Sequence, residues 1–568
     1  MNEIESVYSS WLAHVDGCDQ LELEALHNDA AALEDAFYRD LAFGTGGLRG
    51  KVGMGPNRLN VYTVGKATQG LANYLKDHFT EPSVAICRDS RHGGEAFVRR
   101  AAEVLAANGI HAFLYPRIEP TPALSFAVRD LGCSAGINVT ASHNPAAYNG
   151  YKVYGSDGCQ ITVDAAKEIQ AAIDRIDPFE DVQILPFDEG ISRGLISWIG
   201  EDTLDRYCDA VLSQSTREDC SGLSVVYTPL NGTGLECVSR VLEAIGVTDV
   251  HVVPEQAEPD GDFPTCPYPN PEIREALDLG LRLCDEVKPD LLLANDPDAD
   301  RVGIAVPHDG SYRLLSGNEV GLLLLDFMAE RAAASGADLS RKVAMTTIVS
   351  APMADEVALA RGFELRRTLT GFKFIGEQVG FLEAEGREAD FLFGFEESYG
   401  YLAGSYVRDK DAVVASMLIC ELAAHWKSQG LDLWEAMERL YERYGYWGNE
   451  LISVEYDGPE GAAHMVEIMS GLRSCVPVSL AGLDVESSSD YLSGAPMPVV
   501  NPLAGEPLQT LPSADVLELR LAGGSRVLVR PSGTEPKIKA YVFACGSTHA
   551  KAEELLGGLS AAARELLK

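Results

Sequence analysis

The chain has 568 residues, too many for a single hydrophobic core, and this length predicts roughly three to five domains. Hydrophobic residues make up 46% and charged residues 23%, as in globular proteins, and there is no apolar run of about 18 residues that would predict a membrane span. The formal net charge of -39 argues against nucleic acid and anionic membranes as partners, so an anion site must be built locally from Arg, Lys and backbone N–H groups.

The cysteines and the N-terminal stretch indicate the compartment. The 12 cysteines are scattered and form no C-x-x-C pair, which favours neither a disulfide framework nor a zinc site. The acidic start of the chain lacks the basic and apolar regions of a signal peptide. We therefore expect a cytoplasmic protein with reduced thiols, a monomer or homodimer, with no nucleic-acid or membrane partner.

The first predicted elements are helices followed by a glycine-rich loop. The stretch up to about Phe43 predicts two helices. The following segment, Gly44-Thr45-Gly46-Gly47-Leu48-Arg49-Gly50-Lys51, predicts a loop whose amides approach a phosphate closely. It is not a P-loop, because Val52 stands where Ser or Thr is required, and Arg49 replaces the third glycine of the dinucleotide motif. A purely structural glycine loop remains an alternative.

Ser142 lies on a loop directly after a predicted strand. The apolar run Ala135–Val139 predicts a buried strand, and Thr140-Ala141-Ser142-His143-Asn144-Pro145 follows it directly. Ligands of open α/β sheets bind at the carboxyl ends of strands, so Ser142 is a candidate nucleophile, with an ordinary turn serine as the alternative. Lys152, shortly after, is either a surface charge or an acid/base group beside a phosphoryl group.

Three aspartates follow a strand of the second predicted unit, which begins with the strand Leu223–Tyr227. The apolar run Leu291–Leu293 ends in Asn295-Asp296-Pro297-Asp298-Ala299-Asp300-Arg301. Carboxylates at i, i+2 and i+4 lie on one side of an extended segment, and their repulsion favours a hard divalent cation over a solvated acidic loop. An EF-hand is excluded because its later Gly and Glu are missing, and Asp300 occupies the Thr/Val position of the haloacid-dehalogenase phosphatase motif.

The third predicted unit contains the strand Val343–Thr347, the loop Thr370-Gly371-Phe372-Lys373 and the strand Phe391–Phe393. This last strand runs into Gly394-Phe395-Glu396-Glu397-Ser398. Glu396 and Ser398 can accept and donate hydrogen bonds to adjacent sugar hydroxyls, although a surface turn fits the pattern equally well.

From about Gly445 the predicted strands are grouped, which favours a separate α+β domain closed by a C-terminal helix. Between two of these strands lies Arg530-Pro531-Ser532-Gly533-Thr534-Glu535-Pro536-Lys537. Its arginine, hydroxyls and glycine-bearing turn suit a phosphate cradle, with a plain hairpin turn as the alternative.

These motifs resemble, in the same order, those of the α-D-phosphohexomutases, the family of phosphoglucomutases and phosphomannomutases. The resemblance extends from about Gly44 to Lys537. It implies three related α/β domains with mixed sheets and a C-terminal α+β domain around a central cleft. We assign these domains to residues 1–215, 216–316, 317–445 and 446–568.

The resemblance also implies roles for individual residues. It implies a phosphoserine at Ser142, with Lys152, Arg49 and His143 as further catalytic residues. It implies Mg²⁺ bound by an oxygen of that phosphoserine and by Asp296, Asp298 and Asp300. The implied substrate-binding residues are Arg301, Thr370, Gly371, Lys373, Glu396, Ser398, Arg530, Ser532, Gly533 and Thr534.

The implied reaction is reversible transfer of phosphate between the 1 and 6 positions of glucose through glucose 1,6-bisphosphate, which also acts as activator. Tyr399-Gly400-Tyr401 stands where the mannose-tolerant branch has a histidine, which favours glucose over mannose. The opening Phe43–Gly50 resembles a branch that includes phosphopentomutases, so a pentose substrate remains open. A non-catalytic phosphosugar-binding protein and a simple phosphatase are further alternatives.

Overall fold

The structure is a computed structural model that describes residues 3–44, 46–456, 458–503, 509–532 and 537–568, with the backbone alone at residues 3, 458–460 and 462. The chain divides into two compact units. The first comprises Met1–Leu314, Val379–Ala384 and Gly400–Ala424. The second comprises Leu315–Gln378, Glu385–Tyr399 and His425–Lys568. Among the described residues, no helix combines the length and the apolar character that crossing a membrane requires.

The first sheet of the first unit has six strands in the order β1-β5-β4-β2-β3-β6. These are β1 (Gly47–Lys51), β2 (Ser83–Arg88), β3 (His111–Leu114), β4 (Ala135–Val139), β5 (Tyr148–Gly155) and β6 (Ile196–Trp198). β2 pairs in parallel with β3 and β4, whereas β4 with β5 and β5 with β1 are antiparallel. The accompanying helices are α1 (Glu3–His14), α2 (Gly17–Leu26), α3 (Ala30–Phe37), α4 (Val61–His78), α5 (Gly94–Ala107), α6 (Thr121–Asp130), α7 (Val163–Ile173), α8 (Phe187–Ser192) and α9 (Glu201–Leu212).

Two predictions for the N-terminal region are wrong. Three helices, not two, precede Phe43 in the part of the chain that the structure describes, because Asp29 caps α3 by accepting hydrogen bonds from the amides of Ala31 and Ala32. The segment Gly47–Lys51 is also an edge strand rather than a loop. Gly47 permits this pairing, since a Cβ there would lie 2.1 Å from the carbonyl oxygen of Tyr151 on β5.

The second sheet of the first unit has the order β11-β10-β9-β7-β8. Its strands are β7 (Ser224–Thr228), β8 (Asp249–Val252), β9 (Leu291–Asn295), β10 (Val302–His308) and β11 (Ser311–Leu315), and its helices are α10 (Leu235–Ala244), α11 (Pro254–Ala257) and α12 (Asp278–Val287). β9 pairs in parallel with β7 and is buried at every position, which explains its continuous apolar sequence.

The second unit contains a sheet in which β12 (Val343–Thr347) pairs in parallel with β13 (Glu364–Thr368) and β14 (Phe391–Glu396). The helices of this part of the unit are α13 (Gly317–Ala334), α14 (Met353–Arg361) and α17 (Leu433–Tyr444). α15 (Phe372–Ala384) belongs to the first unit from Val379 onward, as do β15 (Gly400–Leu402) and α16 (Ala412–Ser428) up to Ala424.

The C-terminal sheet is antiparallel, with the order β16-β22-β21-β20-β18-β17. The elements are β16 (Tyr446–Glu455), α18 (Gly458–Ser474), β17 (Ser479–Leu480), β18 (Leu483–Asp490), β19 (Val499–Val500), β20 (Leu517–Leu521), β21 (Arg526–Pro531), β22 (Lys537–Gly546) and α19 (His549–Leu566). β19 leaves this sheet and pairs with β13. Three mixed α/β sheets and an antiparallel C-terminal sheet confirm the predicted fold class, and the four domain boundaries stay predictions.

Candidate active site

Ser142 lies three residues beyond the end of β4, on a loop with little freedom. The residue is 3% exposed and has φ of 50°, a left-handed conformation that non-glycine residues adopt only when the surroundings impose it. Its amide donates a hydrogen bond of 2.8 Å to Oγ1 of Thr140. Its own Oγ donates to Oδ2 of Asp296 at 2.5 Å and lies 3.1 Å from Nδ1 of His143. The fold therefore aims the serine hydroxyl at the first of the three aspartates.

The three aspartates converge directly after β9. Asp296, Asp298 and Asp300 are each no more than 2% exposed, and one carboxylate oxygen of each lies within 4.8 Å of the others. Ala299 has φ of 49°, which turns the chain back so that the amides of Asp300 and Arg301 donate to Oδ1 of Asp296 at 3.1 and 3.0 Å. The sequence spacing thus becomes a compact cluster of buried carboxylates.

Two lysines offset this negative charge. Nζ of Lys152, on β5, lies 2.9 Å from Asp298 Oδ2 and 3.8 Å from Asp300 Oδ2. Nζ of Lys410 lies 3.1 Å from the same oxygen of Asp300. The sequence analysis missed Lys410, whose only local signal is the charged run Arg408-Asp409-Lys410-Asp411 immediately before the apolar helix α16.

Burial and charge shift the aspartates in opposite directions. Burial and then the neighbouring Asp298 carboxylate raise the pKa of Asp296 well above its ordinary value. Burial also acts to raise the pKa of Asp298, but Lys152 and the hydrogen bond with Asp296 outweigh it and hold that pKa below its usual range. The lysines thus compensate only part of the cluster, and a further cation would stabilise it.

The donor set fits a divalent metal ion. Oδ1 of Asp298 and Oδ1 of Asp300 are buried, and neither has a hydrogen-bond partner among the described residues. A buried carboxylate oxygen without a partner is costly, and hard divalent cations are bound through such oxygens. We conclude that Asp296, Asp298 and Asp300 can hold a metal ion, with Ser142 Oγ 2.5 Å from one of the ligand oxygens.

Two arginines, Arg49 and Arg301, lie near the serine loop and the acidic cluster. Arg49, on β1, donates from Nη1 to Asn144 Oδ1 at 3.3 Å, and Arg301 pairs through Nη1 with Glu272 at 2.7 Å. Desolvation and then the neighbouring Arg301 lower the pKa of Arg49. Desolvation, Arg301 and Arg49 together lower the pKa of His143 well below its ordinary value, so its imidazole is neutral at pH 7. Because Arg301 lowers the pKa of Arg49, a bound anion near these two positive charges would be favourable.

The remaining predicted residues lie in the second compact unit. Glu396 is the last residue of β14 and is 4% exposed, and Ser398 two residues later is half-buried. The loop between β13 and α15 contains Thr370, whose buried Oγ1 has no hydrogen-bond partner among the described residues, and Gly371, whose φ of 116° suits glycine. Lys373 is the second residue of α15.

The C-terminal loop is described only in part. Arg530 lies near the end of β21, and the amide of Ser532 donates to the carbonyl oxygen of Lys537 at 2.7 Å. Gly533 and Thr534 lie outside the described residues. Burial and then Glu397 raise the pKa of Tyr541, while a hydrogen bond with Arg530 lowers it and Glu396 adds to the rise. Tyr541 therefore lies near both the Glu396 loop and Arg530.

Comparison with known proteins identifies the class to which this fold and site belong. Four family models match the chain consecutively: phosphoglucomutase/phosphomannomutase α/β/α domain I at residues 40–180, domain II at 205–310, domain III at 316–444 and the C-terminal domain at 503–556. The chain belongs to this phosphoglucomutase/phosphomannomutase family, the α-D-phosphohexomutases. It is an enzyme of the isomerase class, an intramolecular phosphotransferase, as the sequence motifs predicted.

Relatives and solved structures agree with the family models. A phosphoglucomutase of Staphylococcus epidermidis is 35% identical over 531 residues, which is 93% of this chain and 95% of the relative. A phosphoglucomutase of Staphylococcus haemolyticus is 36% identical over 510 residues, covering 90% and 91% of the two chains. In fold, the open form of the phosphoglucomutase parafusin from Paramecium has a TM-score of 0.70 at 18% identity, covering 93% and 95%. A family protein from Burkholderia thailandensis has a TM-score of 0.66 at 17% identity, covering 92% and 97%.

Proposed function

We propose that the chain is a phosphoglucomutase that exchanges phosphate between the 1 and 6 positions of glucose, with Ser142 as the phosphoryl carrier. The observation that carries the proposal is the hydroxyl of Ser142, held 2.5 Å from Asp296 at the edge of a buried three-aspartate cluster. A hydroxyl beside a cation site and a guanidinium group matches the electrostatic demands of phosphoryl transfer. The phosphoglucomutase relatives, 35–36% identical over about nine-tenths of the chain, support the choice of sugar.

In this proposal the metal is Mg²⁺, bound by Asp296, Asp298, Asp300 and an oxygen of phosphorylated Ser142. When bound, such an ion neutralises charge on the transferring phosphoryl group. Asp296 accepts the hydrogen bond of the free serine and therefore orients Ser142 Oγ for attack on an incoming phosphoryl group. The buried position of the loop excludes water, which limits hydrolysis of the phosphoserine.

The basic residues are proposed to neutralise negative charge and to transfer protons. Arg49 lies beside the serine loop and is proposed to bind oxygens of the transferring phosphoryl group. Lys152, anchored on Asp298, is proposed to hold or move a proton at the reacting sugar hydroxyl, and Lys410, on Asp300, to balance charge. Neutral His143, whose Nδ1 lies 3.1 Å from Ser142 Oγ, is proposed to help hold the position of that oxygen.

The loops of the second unit are proposed to recognise the sugar phosphate. Glu396 and Ser398 contact hydroxyls of the sugar. The non-reacting phosphate is bound by the C-terminal loop residues Arg530, Ser532, Gly533 and Thr534. Thr370, Gly371 and Lys373, and Arg301 of the first unit, are further substrate-binding residues in this proposal. Because the glucose 1,6-bisphosphate intermediate must turn to exchange its two ends, one phosphate site serves both orientations. The same bisphosphate is the proposed activator, since it phosphorylates Ser142 when that residue has lost its phosphate.

The decisive experiment measures conversion of glucose 1-phosphate to glucose 6-phosphate with Mg²⁺, with and without glucose 1,6-bisphosphate. Turnover that the bisphosphate stimulates, and that Ser142→Ala abolishes, supports the proposal. Ribose 1-phosphate and mannose 1-phosphate are run alongside, and faster turnover of either would replace glucose by that sugar. Release of inorganic phosphate at the rate of substrate loss would indicate a phosphatase, and binding of the sugar phosphate without turnover a binding protein.

A further inference from the structure

Arg91 is a buried arginine directly behind the serine loop, and the residues proposed for catalysis and binding do not include it. It follows β2 within the sequence Asp89-Ser90-Arg91-His92. The residue is 2% exposed and its side chain is fully enclosed. A buried guanidinium is costly unless its donors are satisfied, so its partners identify its purpose.

Four of those partners are backbone carbonyls of the loop that carries Ser142. Nη1 donates to the carbonyl oxygens of Pro145 at 2.9 Å and Tyr148 at 2.8 Å. Nη2 donates to the carbonyl oxygens of Ser142, at 2.5 Å, and Asn144. One planar group thus gathers carbonyl dipoles that would otherwise repel one another as they converge.

Asp89 holds the loop through a second route. Its Oδ2 accepts a hydrogen bond of 2.6 Å from Thr140 Oγ1 and lies 3.3 Å from Nε of Arg91. Thr140 Oγ1 in turn accepts the amide of Ser142 at 2.8 Å. Both the amide and the carbonyl of Ser142 are therefore bonded, directly or through Thr140, to one buried ion pair.

A third contact covers the guanidinium from the segment between β8 and β9. The ring of Phe263 lies 4.9 Å from Cζ of Arg91, a cation–π distance. Nearby, a Cβ on Gly261 would lie 2.9 Å from the amide nitrogen of His92, so the two segments approach closely. β9 leads into Asp296, so Arg91 contacts both the serine loop and the segment that precedes the strand of the metal loop.

We propose that Arg91 is a positioning residue for phosphoryl transfer: it holds the Ser142 loop in the left-handed conformation that points Oγ at Asp296. This inference rests on the proposed function of Ser142. Arg91 acts through its hydrogen bonds to the loop carbonyls. One of these is the carbonyl of Ser142, so a positive charge contacts the backbone of the residue that gains the phosphoryl group. A lysine keeps the charge but not the planar fork, so it cannot bond four carbonyls at once.

The first test compares Arg91→Lys with Arg366→Lys. Arg366, in the second compact unit, is 6% exposed and donates hydrogen bonds to Glu364 and Gln378. Its replacement therefore disrupts a comparable buried ion pair far from the Ser142 loop in sequence. We expect Arg91→Lys to lower kcat about tenfold to a hundredfold with KM for glucose 1-phosphate within about twofold, because displacement by roughly 1 Å has this effect. Arg366→Lys should lower the Tm comparably and leave kcat unchanged. An unchanged kcat in Arg91→Lys, or a loss confined to KM, would overturn the proposal.

The second test is chemical rescue. Guanidinium ion at concentrations well below those that unfold the protein should restore part of the kcat of Arg91→Ala, whereas urea at the same concentration should not. A purely structural defect predicts that neither compound restores kcat, since guanidinium and urea both destabilise folded proteins. If Arg91→Ala does not fold, Phe263→Leu replaces it, and its kcat should fall with KM maintained; no fall would count against the proposal.

The third measurement is independent of turnover. Amide hydrogen exchange should rise in the peptide covering residues 140–148 of Arg91→Lys, but not in Arg366→Lys, compared with the unaltered chain. Equal protection in all three proteins would refute the positioning role. If the unaltered chain shows no mutase turnover, the proposed function fails, and this exchange comparison still decides whether Arg91 holds the loop.

Discussion

The residues assigned to chemistry and those assigned to recognition differ in how firmly the protein holds them. In the first unit, Ser142 and the three aspartates are at most 3% exposed and bonded to one another or to lysines. In the second unit, Glu396 is also buried, at 4% exposed, but Ser398, Thr370 and Arg530 are half-buried on loops or at a strand end. The difference indicates that the chemical groups are pre-organised by the fold, whereas the recognition groups gain part of their order from the ligand.

The largest expected effect tests the pre-organised serine. Ser142→Ala removes the only atom proposed to carry the phosphoryl group, so mutase turnover should fall by at least about 10³-fold. Intact-mass measurement after incubation with glucose 1,6-bisphosphate should show one added phosphoryl group in the unaltered chain and none in the variant. Ser156→Ala, at an exposed position, is the matched control and should behave as the unaltered chain. Phosphorylation of the Ser142→Ala variant would place the carrier elsewhere.

The next effect tests the aspartate cluster. Asp300→Asn removes one of three buried negative charges, so without metal we expect the Tm to stay equal or rise. With Mg²⁺ in hundredfold excess over its Kd, the unaltered chain should gain about 2.7 kcal/mol, and the variant much less. Turnover should fall about a hundredfold.

The control for this prediction is Asp285→Asn, which removes a carboxylate of an exposed pair with Lys288. It should keep the full Mg²⁺-dependent rise in Tm, because surface pairs contribute little. If Asp300→Asn shows the same rise as Asp285→Asn, the metal ion does not bind at the aspartate cluster.

The structure brings Ser142 and the three aspartates together, and the sequence indicated them because each group follows a buried strand. β4 and β9 are continuous apolar runs, and the serine and aspartates come directly after them, so local pattern and site coincide. Lys410 was missed because it reaches Asp300 only through tertiary folding, from a position more than a hundred residues along the chain. Arg91 carries no local signal either, since its four carbonyl partners exist only once the loop is folded.

The fold was predictable to a similar degree and for similar reasons. Strand β12 begins and ends as expected from its apolar sequence, and the antiparallel C-terminal sheet follows from grouped strands. β1 was mistaken for a loop because glycines usually break strands, whereas Gly47 permits close pairing with β5. The third N-terminal helix was missed because its boundary depends on the Asp29 cap rather than on a change in polarity.

Substitutions of the residues proposed for substrate recognition should have smaller effects on turnover and should change mainly KM. Arg530→Lys keeps a positive charge but loses bidentate phosphate binding, so we expect KM for glucose 1-phosphate to rise about tenfold, with kcat within about threefold. Arg520→Lys, on the neighbouring strand β20 and paired with Glu518, is the control and should leave both constants unchanged. A fall in kcat without a change in KM would assign Arg530 to the chemistry rather than to recognition.

The smallest effect concerns stability beside the pre-organised site. Glu119 is 3% exposed and pairs with Arg117, yet burial raises its pKa from 4.5 to about 7 despite that partner. Below about pH 4.5 the Glu119 carboxyl is protonated in folded and unfolded chains, so folding does not require a buried charge and the folded state is more stable than at higher pH. As the pH rises through about 7 the folded chain must ionise it, and this stabilisation is lost.

Glu119→Gln cannot ionise, so its stability relative to the unaltered chain should increase from pH 5 to pH 8, by up to about 3 kcal/mol for a shift of this size. Urea unfolding at several pH values measures the difference. Glu201→Gln is the matched control, because Glu201 also pairs with Arg117 but is 61% exposed, and its effect should stay within about 1 kcal/mol at every pH. A constant difference between Glu119→Gln and the unaltered chain across this range would mean that Glu119 is ionised in the folded protein throughout. In that case Arg117 would fully compensate the buried negative charge of Glu119. Glu119 lies two residues before Thr121, which donates a hydrogen bond to Asp298.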